Sequence, residues 1–115
     1  VKKIYYLSTC DTCKRIIEEL NIPSDFVLQD IKKEHITTEQ LDEMQKLTES
    51  YEVLFSKRAR LYKERDLKSQ NLTEKDYKNL ILEHYTFLKR PVIVINDQIF
   101  VGNTKKTIEA AKLAI

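Results

Sequence analysis

The sequence predicts an α/β fold in which a β-α-β unit and a β-β-α unit flank a helical insertion over about 36–86. Three observations carry this. Short apolar runs with strand character lie near both ends of the chain, at Ile4-Tyr5-Tyr6-Leu7 and Val92-Ile93-Val94-Ile95. Helical spacing begins directly after the first run. Between the two flanks the apolar residues keep helical periodicity, with capping signals, too regular for a loop.

The elements follow in order. Lys3 to Leu7 reads as a strand buried on both faces. Ser8-Thr9-Cys10-Asp11-Thr12-Cys13 is a turn, and Ile16, Ile17 and Leu20 then mark a helix that ends before Pro23. Phe26, Val27, Leu28 and Ile31 place a second strand near 25–30. Thr37 or Thr38 caps the next helix, with Gln40 in the capping-box position after Thr37 and Leu41, Met44 and Leu47 at helical spacing. A shorter helical piece at 51–55 leads into the basic stretch Ser56 to Arg65. Thr73 opens a further helix with Tyr77, Leu80, Ile81 and His84 on one face. Val92 to Ile95 and Ile99 to Val101, joined by Asn96-Asp97-Gln98, form a hairpin, and Thr104 caps a closing helix. This order is that of a thioredoxin-like fold, read as a single domain over 1–115.

Composition narrows the function. The 115 residues suit one domain with a real core. No apolar run approaches the roughly 18 residues of a membrane span, and the first residues read as a strand rather than a signal peptide. The expectation is a cytoplasmic protein with no membrane partner. Net charge is +2, too small to point to direct nucleic-acid binding. The single glycine, Gly102, excludes a dinucleotide fingerprint and a phosphate-cradling loop, which need several glycines at fixed spacing.

The chemistry concentrates at Cys10 and Cys13. A Cys-x-x-Cys at a helix start meets unpaired backbone N–H groups and the positive end of the helix dipole, which favour a thiolate. Cys10 is then the exposed nucleophile, and Cys13, one turn in, is placed to resolve a mixed disulfide. Lys14 and Arg15 add positive charge. A zinc half-site is disfavoured because His35 and His84 lie far apart, so no metal is expected. An inert core pair is disfavoured by the polar flanks Ser8, Thr9, Asp11 and Thr12.

Arg90 precedes Pro91 and the strand from Val92. If Pro91 is a cis-proline facing the cysteine turn, Arg90 stands near Cys10, where its fork could hold a tetrahedral oxyanion; the alternative is a solvated arginine in a loop. Lys57, Arg58, Arg60, Lys63 and Arg65 form the one concentrated basic stretch, either a solvated face or an anion site. Tyr62 is its one aromatic residue, and His35 and His84 read as surface or helix residues rather than bases.

These residues resemble the ArsC/Spx family of glutaredoxin-linked arsenate reductases and Spx-type transcriptional regulators. The resemblance rests on Ile4-Tyr5-Tyr6 leading to Cys10-Asp11-Thr12-Cys13-Lys14, on Ser56-Lys57-Arg58-Ala59-Arg60-Leu61-Tyr62-Lys63-Glu64, on Leu72-Thr73-Glu74, on Phe87-Leu88-Lys89-Arg90-Pro91-Val92 and on Ile99-Phe100-Val101-Gly102. It implies a thiol-dependent oxidoreductase in which Cys10 attacks an oxyanion or a mixed disulfide. Cys10, Cys13 and Arg90 would be catalytic, and Thr12, Lys14, Arg58, Arg60 and Pro91 would contact substrate. No bound cofactor is implied; glutathione would be the co-substrate and glutaredoxin a candidate partner. Of the three reductase arginines, Arg90 matches one. The second falls at about Ser56, and the third finds Asn103, Lys105 and Lys106. The Spx branch implies instead binding to the C-terminal domain of the RNA polymerase α subunit. The glycine used in that contact would fall near Ser50 and Tyr51.

Overall fold

The computed structural model describes residues 1–115 and divides them into two compact units, Val1–Glu34 with Arg90–Ile115, and His35–Lys89. The first unit contains β1 (Lys2–Tyr6), α1 (Asp11–Leu20), β2 (Val27–Asp30), β3 (Val92–Ile95), β4 (Gln98–Val101) and α5 (Lys105–Ala114). The second contains α2 (Thr38–Thr48), α3 (Arg60–Glu64), α4 (Glu74–Glu83) and three short 3₁₀ turns.

The four strands form one sheet in the order β2-β1-β3-β4. β1 and β2 are parallel, with Ile4 beside Leu28 and Tyr6 beside Asp30. β3 runs antiparallel to β1, with Tyr5 beside Val92, and β4 antiparallel to β3. The parallel pair needs a helical crossover, which α1 supplies; the antiparallel pair needs only the tight turn at Asn96-Asp97. Asn96 takes the positive φ of 56° there, a conformation asparagine tolerates better than most residues. The β-α-β and β-β-α halves thus make the thioredoxin-like sheet that the sequence predicts.

Alternation along the strands decides the core. Ile4, Ile93 and Ile95 pack with Ile16 and Leu20 of α1, Phe26, and Ile108 and Ala111 of α5. Ile16 and Leu20 are one helical turn apart, and Ile108 and Ala111 are three residues apart, so each helix turns a single stripe toward the sheet. Tyr5 and Val92, on the opposite face, are also buried, so both faces of the central strands are covered.

In the second unit the helix starts follow local chemistry. Thr37 accepts a hydrogen bond from the Gln40 N–H at 3.1 Å while Gln40 Oε1 accepts from the Thr37 N–H at 3.0 Å, a closed capping box. Thr73 and Asp76 repeat it at α4. Phe55 stacks on Phe87 at 5.2 Å and meets Tyr77 and the half-buried Tyr62 at 4.8 and 5.8 Å, so Tyr62 edges an aromatic cluster. His84 lies just past the end of α4, not on its apolar face. Its Nδ1 accepts the Thr86 N–H at 3.0 Å, so the ring caps the following turn.

Candidate functional site

Strand direction brings the sequence-predicted residues of the first unit to one end of its sheet. β1 delivers the Leu7–Cys10 turn at its C-terminal end, closed by the Cys10 N–H to the Leu7 carbonyl at 2.9 Å. Because β3 is antiparallel to β1, its N-terminal end lies beside that turn, and this is where Arg90 and Pro91 stand. Their peptide bond is cis. Gly102, returning from β4, donates its N–H to the Pro91 carbonyl at 2.9 Å. Nothing lies within 4 Å of the position a Cβ would take on Gly102, so its φ of +92° is what calls for glycine there.

Cys10 is the residue that begins α1. Its carbonyl accepts the Lys14 N–H at 3.2 Å, the first helical bond. The Cys13 and Thr12 N–H groups face its sulfur without closing a full capping bond. Partial burial alone would raise the Cys10 pKa. The Cys13 backbone N–H, the Cys13 thiol, the Arg90 guanidinium and the Thr12 N–H outweigh it, and the net effect is a lowered pKa. Cys10 is half-buried and so is reachable.

Cys13 behaves in the opposite way. It is fully buried, and burial pushes its thiol up to about 12, helped by the hydrogen bond it shares with Cys10 and by the Cys10 charge. A backbone hydrogen bond from Leu7 and the Arg90 charge pull the other way without offsetting it. One sulfur is therefore poised to lose its proton and the other to keep it. Both are free thiols here.

Arg90 is half-buried, its Nε shielded from solvent, and its charge acts on both sulfurs. This excludes the reading of Arg90 as a solvated loop arginine. Thr12 is half-buried and Lys14 exposed, on the first turn of α1. Arg58 and Arg60 belong to the other unit, where both are exposed; Arg60 reaches Glu64 at 3.6 Å, one turn along α3. No group of three or more His, Cys, Asp or Glu residues is placed to hold a metal ion.

Sequence reasoning passed over Asp30. It ends β2 beside Tyr6, and its Oδ1 accepts the Lys32 N–H at 3.1 Å while its Oδ2 is buried. Burial would raise its pKa, but the Ser8 hydroxyl, the Lys32 N–H and the Ser8 N–H hold the carboxyl below the usual range. It therefore lies against the cysteine turn. Only the parallel register of β2 with β1 could have signalled this, since an aspartate after a strand is otherwise ordinary.

A family model described as the ArsC family matches residues 5–111. The global transcriptional regulator Spx 1 of Oceanobacillus iheyensis is 27% identical over 103 residues, covering 86% of this chain and 77% of that protein. Among solved structures, an arsenate reductase (ArsC) related protein from Brucella melitensis is 28% identical with a TM-score of 0.71, covering 95% of this chain and 92% of that one. An ArsC-family-related protein from Bacteroides fragilis is 25% identical with a TM-score of 0.75, covering 95% of each chain.

Proposed function

The chain belongs to the ArsC family, and we propose that within it this protein is a thiol-dependent oxidoreductase that works through the Cys10 thiolate. The observation that carries the proposal is the split between the two sulfurs: Cys10 lowered, Cys13 held up at about 12. In the proposed cycle the Cys10 thiolate attacks a disulfide sulfur and expels a thiolate, or displaces a hydroxyl group, which leaves as hydroxide, from an oxyanion held by Arg90, and in either case forms a covalent adduct. Cys13 or glutathione then attacks the adduct; with Cys13 the product is the Cys10–Cys13 disulfide, and the Cys13 proton leaves with the displaced group. Thr12 contributes its N–H to the thiolate, and Lys14 and Pro91 as substrate contacts belong to the proposal. Glutathione as co-substrate, glutaredoxin as reductant, and Arg58 and Arg60 as anion contacts belong to the proposal.

The test is turnover of purified protein with glutathione and either arsenate or a small disulfide. Wild type turns over, Cys10→Ser does not, and Cys13→Ser retains part of the rate when glutathione is added. Absence of thiol-dependent turnover with every acceptor overturns the enzyme reading.

The identity with a regulator named Spx 1 favours a second reading, a redox-switched transcriptional regulator that binds the RNA polymerase α C-terminal domain. A pull-down of that domain by the reduced and the disulfide forms separates the two. Binding in one redox state supports the regulator, and binding in neither removes it.

A further inference from the structure

The charge on the first unit is sorted by the direction of its strands. β1, β2 and β4 all end, and β3 begins, at the edge that carries Cys10. The segments that emerge there bring six exposed cations: Lys14 and Arg15 in the first half of α1, Lys32 and Lys33 after β2, and Lys105 and Lys106 opening α5. The carboxylates at this edge are Asp11, Glu34 and the half-buried Asp30. The opposite edge is balanced: Glu18 and Glu19 at the end of α1, Asp25 before β2 and Asp97 in the β3–β4 turn face Lys2 and Lys3 at the start of β1 and Lys112 at the end of α5.

None of the six cations takes part in an ion pair, whereas Lys2 at the far edge is bound to Asp25 at 2.9 Å. Nor does helix stability account for their positions. Lys105 and Lys106 occupy the first turn of α5, where the helix dipole favours acids and opposes lysine. Two exposed lysines in an unfavourable place, at the same edge of the sheet as Cys10 and without an ion pair, fit an external negative group.

The geometry points to an anionic disulfide, one carrying carboxylates near the scissile S–S bond, as the preferred acceptor, selected by Lys105 and Lys106 together with the other cations of this rim. This rests on the oxidoreductase reading above and names its substrate class. The Cys10 thiolate attacks one sulfur of R–S–S–R, forms Cys10–S–S–R and releases RS⁻. Cys13 then attacks the Cys10 sulfur and closes the protein disulfide, its proton passing to the second departing sulfur, so the protein gives up two electrons and the acceptor leaves as one RS⁻ and one RSH. Rim charge acts on encounter, before either step.

The experiment compares three acceptors on the reduced protein: dianionic dithiobis(nitrobenzoate), neutral 2-hydroxyethyl disulfide and dicationic cystamine. Each second-order rate is normalised to that of a small neutral thiol. The expected order is dianion, neutral, dication, with about tenfold or more between the extremes. Raising salt from about 10 to about 300 mM, which shortens the screening length severalfold, slows the dianion and speeds the dication. The double change Lys105→Glu, Lys106→Glu compresses the ranking and, by placing acids at the helix start, raises the melting temperature. Equal normalised rates, or a ranking that salt and the double variant leave untouched, overturn the charge selection while leaving the thiol chemistry standing. No reaction even with the neutral disulfide overturns the oxidoreductase reading itself.

Discussion

Replacing Cys10 by serine tests how the structure divides the work between the two sulfurs. A thiol at about 12, the position of Cys13, is ionised to about one part in 10⁵ at pH 7. An ordinary thiol near 8.5 is ionised to a few parts in 100, so wild-type Cys13 should alkylate on the order of a thousandfold more slowly than a free thiol. Burial is the leading cause of its position, and the Cys10 hydrogen bond and charge come after it. In Cys10→Ser the Cys13 thiol should therefore move down from about 12 yet stay above the ordinary range, because its burial is unchanged. The assay is iodoacetamide modification across pH 6–11 with mass-spectrometric assignment of the modified cysteine. Steric protection also slows alkylation, so the shape of the pH profile, not the absolute rate, is the quantity read: modification of wild-type Cys13 should still be rising at pH 11, with no plateau. A wild-type Cys13 midpoint at the ordinary thiol value would refute the reasoning. So would a midpoint in Cys10→Ser that has fallen all the way to that value.

Three further outcomes follow from the same structure. Arg90→Ala removes a charge that favours the Cys10 thiolate, so alkylation of Cys10 at pH 7 slows, and Arg90→Lys recovers part of the loss; equal rates in all three would remove Arg90 from the site. Cys13 carries a raised pKa, so its contribution to folding is fully present below the ordinary thiol value and is lost as pH climbs toward about 12. Urea midpoints should fall more steeply over that alkaline window in wild type than in Cys13→Ser, and parallel curves would contradict this. Thr73→Ala opens the α4 capping box and should cost about 1 kcal/mol in urea unfolding, whereas no change would mean that helix start is held by packing alone.

Much of the first unit was legible in the sequence because its signals are local. Apolar runs of strand length, Pro23 as a stop and Thr104 as a start place β1, α1, β3 and α5 within a residue or two. The Thr37–Gln40 box was readable for the same reason. His84 shows where periodicity fails: its spacing from Tyr77 and Ile81 fits the helix, but its ring caps the next turn from a residue with extended backbone. Cys10, Cys13 and Arg90 could be named and given roles, but the opposed shifts of the two thiols could not be read. Those shifts depend on Cys13 being fully buried and on an antiparallel register that sets Arg90 beside the turn. Asp30 stayed hidden because its neighbour Ser8 lies 22 positions away in sequence and is met only across the β1–β2 ladder.

The most direct measurement is ultraviolet titration of the reduced protein near 240 nm, where a thiolate absorbs and a thiol does not. The structure predicts a first step of one thiolate per chain, centred below the ordinary cysteine value and abolished in Cys10→Ser. A profile with no ionisation until that ordinary value or beyond would contradict the account, since the sulfur at the head of α1 would then be an unactivated thiol.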